Sequence, residues 1–285
     1  MQNKFGFMAL MICVLLAAAT GLSRATDKPL ILCGAAFRMP MDEIVTAFTQ
    51  QTGLEVNVSY AGVGTLLSQI SLSRRGDIFV APSPDIMKKA AKQGHLVPGT
   101  IRETGYFVPS INVQKGNPKR IRSLQDMARP GLRIAIGNPE TVYVGILAAE
   151  IADKALTPQE RKQFRKNIVT YGEDFNKLAA LLVLRQVDAV IGFSYLDKWF
   201  PEKIDTIKLA STDIQRIGVG NAALLRYTDN RPAAERFLSF LAAPEAERIF
   251  RKYHYFATLR EACDWIGQEK PVGGDYLLPE DWAGN

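Results

Sequence analysis

The sequence predicts an α/β fold in two lobes, each a mixed sheet flanked by helices, with a ligand cleft between them. The first half contains three successive units of strand, small-residue turn and helix, which is typical of a parallel sheet. The same unit recurs after residue 130. At 285 residues, with 47% hydrophobic and 22% charged content, the chain is long enough for two lobes with sizeable cores.

The first unit shows the pattern most clearly. Three apolar residues at 30–32 form a short buried strand, and small residues at 33–36 follow where the backbone turns. Pro40 suits the first turn of a helix, and apolar residues then recur at helical spacing: Met41, Ile44, Val45 and Phe48. The turn therefore leads into a helix N-terminus, which offers free backbone N–H groups and the positive end of a dipole.

Two further units complete the first lobe. An alternating strand at 54–60 and a turn at 62–65 precede the second helix, and a strand at 77–81 and a turn at 82–85 precede the third. The extended run at 106–113 has no helix directly behind it. We interpret that run as the crossing into the second lobe.

The second lobe repeats the arrangement. The predicted strands are 133–136, 168–171, 189–193 and 204–209, and the predicted helices are 123–128, 142–152, a helix opened by Thr157 and Pro158, and 175–184. A strand at 217–225 returns to the first lobe, and two helices at 232–241 and 244–253 close it. The predicted divisions are a signal peptide at 1–25, lobe I at 26–106 plus 214–256, lobe II at 107–213 and an irregular C-terminal tail at 257–285.

Residues 1–25 have the composition of an export signal. Lys4 precedes an apolar run at 5–19, and Ser23 and Ala25 are small residues at the cleavage-recognition positions. The alternative is an uncleaved membrane anchor, but the run is shorter than the roughly 20 residues that a membrane span needs. We therefore expect cleavage near Ala25 and a periplasmic protein.

The charge of the chain does not indicate a nucleic-acid partner. Cleavage removes two of 35 basic residues, so 33 basic and 29 acidic side chains remain and the net charge is +4. The basic residues are dispersed, whereas nucleic-acid binding usually needs a concentrated stripe with interleaved aromatic residues. We expect a monomer with a solvated, mildly basic surface. Cys33 and Cys263 are either two unpaired thiols, one of them buried, or a disulfide that ties the tail to the first turn.

No enzyme signature stands out. His95 and His254 do not lie beside a serine or cysteine elbow, and the sequence has no G-x-G-x-x-G run and no Walker motif. Zinc ligation would need a closer spacing of cysteine and histidine. We therefore expect no catalysis, no cofactor and no metal site.

Helix-opening turns are the feature that recurs in both halves. They lie at 34–40, 62–65, 81–85, 137–142 and 172–175. In open α/β sheets the turns after the strands face the ligand crevice, so two such lobes aim several helix N-termini at one anion.

The order of these segments resembles the periplasmic molybdate-binding proteins of ABC uptake systems, which are type II two-lobed solute-binding proteins. The resemblance covers roughly residues 28–256 and depends on the segments 33–37, 59–70, 76–81, 137–145, 172–174 and 237–246. It implies the type II periplasmic binding protein fold and an oxyanion, molybdate or tungstate, held between the lobes by backbone N–H groups and a few hydroxyls. It also implies a permease partner in the inner membrane.

The resemblance also places candidate ligand contacts. The first two loops of the family offer serine hydroxyls to the ligand, and this chain has Ala36 and Val63 at those positions. The family's ligand contacts in the second lobe correspond to Val144 and Phe175. Its ligand-binding tyrosine corresponds to Phe193 or a residue near it. With the neighbouring turn residues, the predicted ligand-binding set is Ala36, Phe37, Arg38, Gly62, Val63, Gly64, Ala81, Tyr143, Val144, Asp174, Phe175, Phe193 and Tyr195.

Three alternatives remain open. Arg38 is the only basic residue in the five turns. It either contacts the ligand, which would then be an organic carboxylate or phosphonate, or pairs with Asp42. Tyr60, Tyr143 and Tyr195 are possible phenolate ligands for a ferric-type ion. A third possibility is an exported sensor or interaction module with the same two lobes.

Overall fold

A computed structural model describes residues 28–274 and 276–282, so the predicted signal peptide lies outside the described residues. The strands are β1 (Leu30–Gly34), β2 (Asn57–Ala61), β3 (Ile78–Ala81), β4 (Arg102–Phe107), β5 (Pro109–Gln114), β6 (Ile134–Gly137), β7 (Ile168–Gly172), β8 (Ala189–Phe193), β9 (Ile204–Ile207) and β10 (Gly218–Leu224). The α-helices are α1 (Arg38–Thr52), α2 (Val63–Ser73), α3 (Pro84–Lys92), α4 (Leu124–Met127), α5 (Tyr143–Ala155), α6 (Pro158–Asn167), α7 (Phe175–Val183), α8 (Leu196–Trp199), α9 (Arg231–Leu241), α10 (Pro244–Lys252) and α11 (Leu259–Ile266).

These strands form two five-stranded mixed sheets. The first has the order β2-β1-β3-β10-β4, in which β10 is antiparallel to both neighbours. The second has the order β7-β6-β8-β5-β9, in which β5 is antiparallel to both neighbours. We call the part built on the first sheet lobe I and the part built on the second lobe II. The predicted α/β class with two mixed, helix-flanked sheets is confirmed.

The extended run predicted at 106–113 is two strands in different sheets. β4 ends at Phe107 and β5 begins at Pro109, so only Val108 separates the lobes at this crossing. Periodicity does not reveal the break because both strands are buried and apolar at this point. The start of β4 at Arg102 was also missed, since its first residues are exposed and polar.

A cluster of buried aromatic rings joins the lobes behind the cleft. Phe107 lies 4.7 Å from Phe193 and 5.7 Å from Phe37, measured between ring centroids. Tyr195 of lobe II stacks on Tyr255 of lobe I at 4.4 Å. Such ring pairs add about 0.5 to 1.5 kcal/mol each beyond burial, so the cluster stabilises the contact between the lobes.

The C-terminal tail is more ordered than the sequence predicted. Thr258 caps α11 by accepting a hydrogen bond from the Glu261 N–H at 3.2 Å, a capping pattern that the prediction of an irregular tail overlooked. Further along, residues 271–274 and 276–282 reach both lobes: the Gly274 N–H donates to Asp85 of α3 at 2.8 Å, and the Tyr276 hydroxyl donates to Asp153 of α5. We call residues 271–274 and 276–282 the strap.

The two cysteines of the described chain are not paired. Cys33 and Cys263 are both free and both buried, so the proposed disulfide between tail and first turn is not formed. The prediction that only one thiol is buried was wrong, because α11 packs Cys263 against the lobe II core. Across the residues that the structure describes, no helix has both the length and the apolar character to cross a membrane.

Candidate ligand site between the lobes

A small cavity of about 20 Å³ lies where turns from the two sheets meet. Lobe I and lobe II both contribute to its wall. The lining residues are Gly34, Ala35, Ala36, Ala61, Gly62, Val63, Pro82, Val142, Tyr143, Val144, Phe175 and Phe193. Seven of the thirteen predicted site residues are therefore brought together: Ala36, Gly62, Val63, Tyr143, Val144, Phe175 and Phe193.

Backbone N–H groups are the donors that this cavity offers. Val63, Tyr143 and Phe175 are the first residues of α2, α5 and α7, and Val144 follows in the first turn of α5. First-turn N–H groups have no acceptor within their own helix. None of these four donates to any residue that the structure describes. The first residues of three helices, whose N–H groups are unused, thus lie around one small space.

The backbone N–H groups at the starts of α2 and α5 stay free because these two helices lack side-chain caps. The N-cap residues of α2 and α5 are Gly62 and Val142, and neither makes a side-chain cap hydrogen bond. Asp174 does cap α7, because its carboxylate accepts from the Lys177 N–H at 2.9 Å. The Asp174 side chain therefore serves its own helix and does not line the cavity.

The two lobes touch closely at the glycines of the second turn. The Gly64 N–H donates to the Thr141 carbonyl of lobe II at 2.9 Å. A Cβ at Gly64 would lie 2.9 Å from Thr141 Cα, and a Cβ at Gly62 would lie 2.7 Å from the Glu173 carbonyl oxygen. Both approaches are shorter than side-chain-bearing residues tolerate, so the contact requires glycine at both positions.

The Ala36 carbonyl oxygen is held from both lobes. It accepts the Tyr195 hydroxyl of lobe II at 2.9 Å and also the Tyr255 hydroxyl of lobe I. Burial raises the pKa of Tyr195 well above its usual value, so this phenol stays neutral and donates. Tyr195 therefore fixes the first turn and does not line the cavity.

The remaining predicted residues lie outside the small cavity. Phe37 belongs to the aromatic cluster, Ala81 ends the buried strand β3, and Gly64 lines a second cavity described below. Arg38 has its Nε 3.8 Å from Asp42 Oδ2, and its guanidinium lies 4.9 Å from the centroid of the Tyr60 ring. Its side chain is about half exposed, and the geometry favours the pairing with Asp42 over a ligand contact.

The ferric interpretation finds little support. Burial is the main cause that raises the pKa of Tyr143 to about 12, and it also raises the pKa of Tyr60 far above its ordinary value. Both phenols therefore resist the ionisation that a ferric ion requires. Tyr60 donates to Asp42 at 2.5 Å and Tyr195 to Ala36, so the three hydroxyls do not converge. Among the described residues, no group of three or more His, Cys, Asp or Glu side chains could hold a metal ion.

His95 contacts a serine, but not in the manner of a hydrolase. Its Nε2 lies 2.9 Å from Ser71 Oγ and its Nδ1 lies 2.8 Å from the Tyr227 hydroxyl. The single hydroxyl proton of Ser71 goes to the Leu67 carbonyl at 2.9 Å. His95 must then donate to Ser71, so it cannot accept the proton of a nucleophile.

A larger cavity of about 230 Å³ adjoins the small one and shares Val63 and Tyr143 with it. It is lined by residues of both lobes and of the strap: Val63, Gly64, Leu67, Ser83, Asp85, Ile86, Lys89, Pro139, Glu140, Thr141, Tyr143, Ile146, Arg216, Gly274 and Tyr276. Arg216 was not among the predicted site residues, because it precedes β10 and does not lie in a turn that follows a strand. The sequence does show one sign of a buried arginine here: Arg216 is a basic residue close to two apolar residues, Ile214 and Ile217.

The two-sheet fold and the backbone-lined space between its lobes define the class of two-lobed periplasmic solute-binding proteins. Comparison of folds agrees: the periplasmic molybdate-binding protein of Azotobacter vinelandii superimposes with a TM-score of 0.71 at 17% identity, covering 81% of this chain and 100% of that one.

The chain belongs to the bacterial extracellular solute-binding protein family, which matches residues 29–256. It is 25% identical to the molybdate-binding protein ModA of Rhodobacter capsulatus, over 84% of this chain and 92% of that protein. It is 26% identical to a sulfate-binding protein of Synechococcus elongatus, over 81% and 72% of the two chains. The predicted resemblance to molybdate-binding proteins is confirmed, and the strap lies outside the matched region.

Proposed function

We propose that this protein captures one small oxyanion, with molybdate and tungstate as the first candidates, and delivers it to an ABC-type permease in the inner membrane. It acts in the periplasm after cleavage of the signal near Ala25, and it performs no chemistry. The observation that carries the proposal is the small cavity, which is lined by four residues whose backbone N–H groups are free and by no charged side chain.

The size of the cavity agrees with one tetrahedral oxyanion. A cavity of about 20 Å³ between the lobes holds a single small ion. A single oxyanion of four oxygens fills a space of that size. Relatives are named for molybdate and for sulfate, so the choice among such anions is a matter for experiment.

Binding is coupled to closure because the donors come from both lobes. Val63 belongs to lobe I, whereas Val144 and Phe175 belong to lobe II. An anion contacts all of them only when the lobes are closed, so it shifts the population toward the closed form that the permease recognises. Ala36 and Val63 replace hydroxyl-bearing residues of the resembling family, so affinity here depends on backbone donors.

A thermal-shift screen of the purified protein tests the proposal. The compounds are molybdate, tungstate, sulfate, phosphate, ferric citrate and small carboxylates. A ligand at 100 times its dissociation constant stabilises the folded state by about 2.7 kcal/mol, which is readily measured. Absence of a shift with every oxyanion would refute the proposal.

Val144→Pro tests the place of binding. Proline removes one donor, and α9 already holds Pro232 at its second position, so the helix tolerates the change. We expect affinity for the best oxyanion to weaken by about 1 to 3 kcal/mol, as for a lost hydrogen bond to a charged group. Arg260→Pro, at the second position of α11, is the matched control. Equal dissociation constants for Val144→Pro and the unmodified protein would show that the ligand does not bind at the Val144 N–H.

A further inference from the structure

The larger cavity has walls from three parts of the chain. Lobe I contributes Ser83 and Ile86, lobe II contributes Ile146, and the strap contributes Gly274 and Tyr276. Because this cavity and the small one share Val63 and Tyr143, a molecule held in the small cavity can extend into the larger one.

A buried guanidinium with unused donors lies in the wall of the larger cavity. Arg216 is 4% exposed, and its Nε lies 2.8 Å from Glu150 Oε2 without the alignment of a hydrogen bond. Its two terminal nitrogens donate to no residue of the described chain. Nη1 is beside the strap, since a Cβ at Gly274 would lie 3.7 Å from it. Buried donors without acceptors are costly, and the planar fork of arginine matches a carboxylate.

The charges around Arg216 are mixed in sign. Glu150 is shared between Arg216 and Lys154, whose Nζ lies 2.8 Å from Glu150 Oε1, so two cations meet one carboxylate. Asp85 is a second carboxylate in the cavity wall, and it accepts from the Ser83 hydroxyl at 2.9 Å and from the Gly274 N–H at 2.8 Å. Lys89 and Glu140 at the rim are exposed and opposite in sign. Arg216 and Lys154 are thus balanced by Glu150 and Asp85.

Three apolar side chains of the wall suit contact with a short carbon chain. Leu67 and Ile86 line the cavity from lobe I, and Ile146 lines it from lobe II. Apolar side chains together with a few polar groups are the usual composition of a site for a small organic molecule. A tetrahedral inorganic anion in the small cavity would leave this space and Arg216 unused.

We propose that Arg216 binds the carboxylate of a small organic acid whose tetrahedral oxyanion head lies in the small cavity and whose carbon chain lies in the larger one. The inference rests on the proposed function, because it takes the small cavity as the place of the oxyanion. It replaces the inorganic candidates named there by another class of ligand: an oxyanion head and a carboxylate joined by a short chain. It also assigns the strap a part in forming the ligand site.

Calorimetric titration with two probes tests this inference. Phosphonoacetate carries the head and the carboxylate, and methylphosphonate carries the head alone. We expect phosphonoacetate to bind at least about tenfold more tightly, since a charge-assisted contact is added. In Arg216→Gln that advantage should vanish while affinity for methylphosphonate is retained.

A second variant keeps the test valid if Arg216→Gln folds poorly. Ile86→Phe fills the larger cavity and leaves the pair of Arg216 and Glu150 intact, and it should also remove the advantage of phosphonoacetate. Equal affinity of the unmodified protein for both probes overturns the inference and leaves the proposed function standing. An advantage that survives both variants overturns the placement at Arg216. If no oxyanion binds, the proposed function itself fails.

Discussion

Substituting Gly64 should separate ligand binding from folding. A Cβ at this position would lie 2.9 Å from Thr141 Cα, whereas ordinary contacts begin at 3.4 Å. Because this distance is about 0.5 Å shorter than an ordinary contact, the two lobes of the Gly64→Ala variant must stay about 0.5 Å further apart at this point. The hydrogen bond from the Gly64 N–H to the Thr141 carbonyl, now 2.9 Å, then lengthens beyond its favourable range.

The expected loss of affinity follows from the contacts that closure makes. The hydrogen bond between the lobes contributes about 0.5 to 1.5 kcal/mol and one donor to a charged ligand about 1.5 to 3 kcal/mol. Together these give about 2 to 4.5 kcal/mol, or roughly 30-fold to 1,600-fold in the dissociation constant. Lobe I itself should fold normally, because Gly64 is the second residue of α2 with an ordinary φ and alanine favours helix.

The assay combines calorimetric titration with small-angle X-ray scattering. Gly64→Ala should bind the best oxyanion weakly, keep its far-ultraviolet circular dichroism and remain open when ligand is added. Gln69→Ala, an exposed position on the same helix, is the matched control and should bind normally. If Gly64→Ala binds with unchanged affinity, the ligand is not held by the closed arrangement described here.

Two further substitutions test side chains next to the site. Arg38→Met should leave ligand affinity unchanged and alter stability by about 0 to 1 kcal/mol, because the exposed pair with Asp42 contributes little; a tenfold weaker titration would return Arg38 to the site. Tyr195→Phe removes the donor to the Ala36 carbonyl, and we expect denaturant unfolding to show a loss of about 0.5 to 1.5 kcal/mol. A loss near zero would mean that the Tyr255 hydroxyl alone satisfies that carbonyl.

The sequence predicted the turns of the site because the relevant chemistry is local. Small residues such as Gly62 after a strand, followed by apolar residues at helical spacing, specify where a helix begins. The N–H groups at Val63, Val144 and Phe175 follow from the helix starts, whatever the side chains are. These positions therefore emerged without knowledge of how the lobes are packed.

Residues whose environment is set by distant parts of the chain could not be found in this way. Arg216 meets Glu150 of α5, 66 positions earlier, and no local pattern reports that partner. Tyr195 was predicted as a ligand contact, but its hydroxyl reaches the Ala36 carbonyl across the lobes. Arg38 could not be assigned to the ligand or to Asp42 from the sequence, because its position over the Tyr60 ring of β2 is a tertiary feature.

The strap bears on how long a captured ligand stays bound. Its bonds to Asp85 in lobe I and to Asp153 in lobe II span the cleft, so the lobes cannot part fully while both are intact. Full opening of the cleft therefore requires at least one of these two bonds to break. The strap thus bears on residence time through a segment that lies outside the region matched by the family.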